Sequence, residues 1–224
     1  MSRQELPSPR PSWALLEYLH GVNALELRWH RTWADLGLAE PGPVVLERLL
    51  ARYRERHRAY HTVQHLEECF ALLDELRDLA RDAAMVELAL WYHDAVYQPR
   101  RADNEQASAD LARADLDAAG APGSLTDPIT AMILATTHQA APPPGDTEIL
   151  IDIDLAILGA EPPRFAEYER QIRKEYSWVP EFLFRKKRSE VLEGFLARPQ
   201  IYRTAILHTR LEERARRNLT TAIG

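Results

Sequence analysis

Over most of its length the chain places apolar residues three and four positions apart, segment after segment, and that period admits helices and little else. "NALELRWHRTWADLG" sets Leu25, Trp29 and Trp33 on one helical face and offers Gly37 as a C-cap. "PVVLERLLARYRERH" opens on Pro43 in its first turn, where a missing amide hydrogen costs nothing. Further helices are expected over 61–80, with Leu66, Phe70, Leu73 and Leu76 on one side, over 82–97, apolar enough to be buried, and over 103–119, closed by Gly120. Thr126 is read as the cap of "DPITAMILATTHQ", and the last helices fall at 163–177, 180–197 and 199–219. Only "EILIDIDLAILG" alternates like a strand. A lone strand has nothing to pair with in a helical chain, so it too is read as helix. "APPPGD", 141–146, is loop. The expectation is an all-α protein, with a loose tail over 1–11 and one helical domain over 12–224.

The bulk properties exclude several classes. At 224 residues the chain can bury a sizeable core. No apolar run approaches the roughly 18 residues that span a bilayer, and the N-terminus lacks the apolar stretch of a signal peptide. The single cysteine, Cys69, cannot close an internal disulfide, which fits a reducing compartment; a cytoplasmic location is expected. A net charge of −6 argues against a broad nucleic-acid surface, but a small anionic substrate stays compatible with a local metal.

The residues able to carry chemistry gather in four places. His61 and His65 stand four apart in "YHTVQH", so on one helix they face one space. "WYHDAVY" adds His93 and Asp94. Neighbours on a regular helix diverge by about 100°, so both reach one metal only if it lies between their directions or the helix end is distorted. "TTHQ" gives His138, and "IDID" gives Asp152 and Asp154. Imidazole nitrogen with carboxylate oxygen suits Mn, Fe, Co, Ni or Zn, and cysteine ligation is excluded by its count of one. His20, His30, His57 and His208 read as structural or surface residues.

In order, these residues spell H…HD…D, and the chain resembles the HD-domain metal-dependent phosphohydrolases. It is similar in particular to a bacterial branch with an "R-x-Y-H-N-x-x-H" start, an "HD-x-V-Y" step, an "NE-x-x-SA" step and a "D-x-D-L-x-x-L-G" step. Here these fall at 58–65, 93–97, 104–109 and 152–159, within a likeness spanning roughly 21 to 219. Thr62 departs from the usual Asn. The "YHxxxH" spacing is also similar to the cyclic-nucleotide phosphodiesterases.

The resemblance implies an HD-type bundle that hydrolyses a phosphate ester or anhydride of a nucleotide or other small phosphorylated metabolite. It implies His65, His93, Asp94 and Asp154 as metal ligands, His61 as general acid, and room for Mg as a second ion bridged by Asp94. Asp154 is preferred to Asp152 because Leu155 follows it, as in the "DL" step. Some relatives carry a water-orienting Glu shortly after "HD"; here that position is Tyr97. Asp103 and Glu105 are the nearest substitutes, and a helix-capping role for them stays equally open. Tyr60, His138 and Arg188 are the substrate-side candidates; His138 reads equally as a polar helix end. The basic run 185–188 reads mainly as a solvated helix face, and "RKEYSWVP", 173–180, as a pocket wall. The rival is a non-catalytic or sensory nucleotide-binding protein of the same fold.

Overall fold

The computed structural model describes residues 24–224, all helices and connecting loops with no strand among them. The expected tail over 1–11, and His20, lie outside the described residues. Ten α-helices follow in order: α1 (Ala24–Asp35), α2 (Pro43–Tyr53), α3 (Val63–Leu76), α4 (Ala83–Tyr92), α5 (Asn104–Ala118), α6 (Gly123–Ala135), α7 (Asp146–Asp154), α8 (Pro162–Glu175), α9 (Glu181–Leu196) and α10 (Ala205–Ile223). Short 3-10 turns extend α3 over Arg77–Leu79 and α7 over Leu155–Gly159.

Helix α4 is the axis of the structure. It is apolar all round, and α1, α3, α5, α6 and α7 pack against it. Trp91 meets Trp29 edge-to-face with ring centroids 5.2 Å apart, and Trp29 meets Trp33 at 5.4 Å. The one acid on α4, Glu87, is fully buried. It accepts from Arg28, Arg31, Arg77 and Thr32, so its charge is not left unpaired. Asp82 caps α4 by accepting from the amides of Ala84 and Met85.

"EILIDIDLAILG" is helical as expected, finishing in the 3-10 turn. Asp152 is buried, and it accepts from the amides of Arg203 and Thr204 and from the Thr204 hydroxyl at 2.6–2.9 Å. It anchors the chain where α10 begins. Gly159 lies where α10 passes closest: a Cβ there would stand 2.7 Å from Leu211 Cβ and 2.9 Å from the Tyr202 hydroxyl.

Several element ends depart from expectation. His61 precedes α3 in a turn, because the chain stays extended at Thr62. Helix α4 stops at Tyr92, and a tightened turn closed by the amide of Ala95 on the carbonyl of Tyr92 follows. Helix α6 begins at Gly123, so Thr126 is a buried interior residue rather than a cap, and Pro128 lies within the helix. Residues 199–204 are loop, held by Asp152 and by Glu212, which accepts from the amides of Ile201 and Tyr202.

Candidate metal centre

Four side chains, from two helices and the turn after a third, converge at one point. His65, on α3, has its Nε2 3.1 Å from His93 Nε2. Asp94 Oδ2 stands 3.0 Å from His93 Nε2 and 3.6 Å from His65 Nε2. Asp154, the last residue of α7, brings Oδ1 to 3.3 Å from His65 Nε2 and 3.6 Å from His93 Nε2. The tight turn after α4 lets His93 and Asp94 converge although they are neighbours in sequence.

These spacings fit one shared cation. Bonds of about 2.1 Å put adjacent ligand atoms about 3.0 Å apart at a right angle and about 3.4 Å apart in a tetrahedron. His93 adds a second fit: its Nδ1 donates to the carbonyl of Leu90 at 2.8 Å, which leaves the Nε2 lone pair facing the centre. Charge points the same way. Burial opposes ionisation, yet the imidazoles hold both Asp94 and Asp154 well below the usual carboxylate range. Burial would likewise lower His93, but Asp94 and Asp154 raise it to about 9. Two anionic groups here call for positive charge, supplied by protons on the imidazoles or by a divalent ion.

Cysteine is not excluded by its count. Cys69 lies one turn beyond His65, and His65, Cys69 and His93 form a buried group with ligand atoms within 4.8 Å of one another. The sulfur is 3.7 Å from both ring nitrogens of His65, so it approaches the ring's flank, in line with neither lone pair. Burial, with Asp154 and Asp94 nearby, also pushes its thiol up, away from thiolate. The two carboxylates are therefore the better placed partners of the two imidazoles.

A cavity of about 510 Å³ opens in front of the carboxylates; His61, Glu105, His138, Tyr60 and Arg188 line it with Asp94 and Asp154. His61 Nδ1 is 2.8 Å from Oε2 of Glu175, the last residue of α8. Its ring stacks on Tyr97 at 4.0 Å. The other oxygen of Glu175 accepts from the amides of Ala59, Tyr60 and His61, and Tyr97 donates its hydroxyl to Oε2 at 2.8 Å. Burial works against charge at both partners, but nearby charge wins: Asp94 and then Glu175 raise His61, and His61 pulls Glu175 down to about 2. A proton on Nδ1 directed at Glu175 leaves Nε2 as the His61 atom free to exchange a proton.

Glu175 was not among the expected site residues. The available signal was its register: Phe165, Tyr168, Ile172 and Glu175 form the buried stripe of α8, so an acid occupies an apolar position. Arg58, present in the motif without a role, is also buried. Its guanidinium donates to the carbonyls of His61, Asp94 and Ala95 at 2.6–3.1 Å and so ties the loop of His61 to that of Asp94. The motif residues Asn104 and Ser108 fasten the same segment. Asn104 exchanges two hydrogen bonds with Gln98, and Ser108 two with Val96.

The remaining candidates separate. The fold returns Glu105 to the cavity wall. Asp103 does not join it: it is exposed, bound at 2.7 and 2.8 Å to Arg101, and makes no capping hydrogen bond. His138, at φ +55°, places Nε2 3.0 Å from Asp154 Oδ2, while Arg198 holds its carbonyl. Tyr60 packs its ring 4.7 Å from that of His65. Arg188 stands over Tyr168 and pairs with Glu169. His30 pairs with Glu40 at the surface, His57 binds the carbonyl of Tyr97, and His208 lies 3.5 Å from Glu212. No helix among the described residues is long and apolar enough to cross a membrane. No family model, curated protein or solved structure matches this chain.

Proposed function

We propose that the protein is a metal-dependent hydrolase of a phosphate ester or anhydride. The observation that carries this reading is the convergence of His65, His93, Asp94 and Asp154 within 3.0–3.6 Å, with His61, itself paired to Glu175, lining one cavity with Asp94 and Asp154. These four residues would hold a divalent ion such as Mn, Fe, Co, Ni or Zn. Such an ion supplies Lewis acidity toward a phosphoryl oxygen and toward water.

The chain's own groups supply the proton transfers. The oxygen of a water forms the new P–O bond as the ester P–O bond breaks. The Nε2 proton of His61 passes to the departing oxygen, and Glu175 steadies the imidazolium before it is spent. Glu105, on the cavity wall, takes the water's proton. His138 orients the phosphoryl group.

The test is metal analysis of the purified protein, then a screen of nucleotides and generic phosphate esters with added Mn²⁺, Co²⁺ or Ni²⁺. Metal-dependent turnover that chelator stops supports the reading. Tight nucleotide binding with no turnover of any ester would favour a sensory role instead.

A further inference from the structure

The cavity has two unlike walls. Asp94, Asp154, His61 and Glu105 stand on one. The 3-10 turn, α8 and α9 build the other, with Ile157, Ile172, Phe184, Val191 and Phe195. The polar groups on this second wall are already engaged. Lys187 donates to Glu190 at 2.7 Å, Arg188 is shared between Glu169 and the Tyr168 hydroxyl, and the Tyr176 hydroxyl lies beside that of Tyr97. A sugar or a base carries donors and acceptors that cost free energy when they leave water without partners. A hydrocarbon surface gains by the same transfer. Val191 lies on this wall and is 50% exposed, so the apolar surface runs from the site out to solvent.

We infer that this cavity takes a phosphate monoester of an apolar alcohol or a phenol, its hydrocarbon body against the α8–α9 wall and its phosphoryl group at the carboxylates. The inference rests on the phosphohydrolase reading and adds the class of leaving group. A volume of about 510 Å³ suits one small molecule of this kind.

The experiment is calorimetric titration of the Mn²⁺-loaded protein with methyl-, propyl- and hexylphosphonate, which cannot be hydrolysed as esters, and with ribose 5-phosphate. Affinity is expected to rise up to about fourfold per added methylene. Ribose 5-phosphate is expected to bind no better than methylphosphonate. Val191→Asn, neutral and at a half-exposed position, should remove most of the gain of the hexyl member and leave methylphosphonate unchanged. The chain-length series needs no variant, so the test survives if that substitution impairs folding. A flat series, or ribose 5-phosphate binding more tightly than hexylphosphonate, overturns the inference while leaving the phosphohydrolase reading intact. No binding of methylphosphonate or inorganic phosphate overturns both.

Discussion

Replacing Glu175 by Gln removes one negative charge and keeps nearly the same shape. The carboxylate receives five hydrogen bonds, three from backbone amides and one each from His61 and Tyr97. An amide oxygen can keep the three backbone donors. Its NH₂ must then face the Nδ1–H of His61, donor against donor, while the hydroxyl of Tyr97 turns to accept. Despite its burial, Glu175 titrates at about 2 in the fold against an ordinary 4.5, chiefly because of His61 and the amides of Ala59 and Tyr60. At 1.36 kcal/mol per unit this is about 3 kcal/mol. The sign follows from the direction. A depressed carboxyl contributes stability that is present above about pH 4.5 and is lost as pH falls toward 2. His61 is raised, so its share is present below about pH 6.5 and is lost as pH climbs through its folded value. Urea unfolding at pH 6, inside both windows, should find Glu175→Gln less stable by about 3 kcal/mol. The gap should close as the pH is lowered. In turnover, losing this charge-assisted bond should move the alkaline limb of the rate profile to lower pH, with the part of the rise owed to Asp94 left in place. Bound metal should be unchanged, since Glu175 touches none of the four converging residues. Equal stability and an unmoved alkaline limb would refute the pairing as the source of the acid.

His65→Ala and Asp94→Ala should each abolish bound metal by elemental analysis and lower the melting temperature; full occupancy in both would end the ligand assignment. His61→Ala should instead keep its metal and lose turnover, most severely for esters with poor leaving groups, as a leaving-group series would reveal. Glu105→Gln should leave folding and metal intact and cut kcat at least about tenfold, a barrier change of about 1.4 kcal/mol; unchanged kcat would return Glu105 to the helix N-terminus. Gly159→Ala should destabilise the fold by about 1–3 kcal/mol in urea, because the new methyl meets Leu211 and Tyr202 inside contact distance.

The helical class was legible because its signal is local. Apolar spacing of three and four marked α1 to α3, and all-round apolarity marked α4 as buried. Ends were less legible, because they are decided by contacts distant in sequence. Thr126 has the chemistry of a cap, yet α6 starts three residues earlier. The loop over 199–204 owes its course to Asp152 and Glu212, which bind backbone that no short-range pattern connects to them. The site divides the same way. His61, His65, His93, Asp94 and Asp154 lie in short recognisable strings and converge. Glu175 is 114 residues from His61, in the stretch 173–180 that reads as a pocket wall without singling out its acid. Cys69 was dismissed by arithmetic that addresses disulfides and multi-thiolate sites but not a single sulfur beside a histidine.

Where the converging side chains sit in their helices suits the centre to a cation. His93 and Asp94 follow the last turn of α4, Asp154 ends α7, and His138 follows α6. Three helix C-termini, each the negative end of a backbone dipole, are thus gathered around two carboxylates. Such an end also leaves carbonyls without helical partners, and a side chain placed there has no helical register to hold it. Arg58 answers both needs on one side: its guanidinium satisfies the carbonyls of Asp94 and Ala95 and joins them to that of His61. Ser108 and Asn104 do the same for the residues that follow. The position of Asp94 therefore depends on tertiary clamps rather than on the helix that precedes it. Arg58 pairs besides with Glu55 at 3.1 Å, so its charge is shared between one carboxylate and the backbone oxygens that hold the Asp94 loop in place.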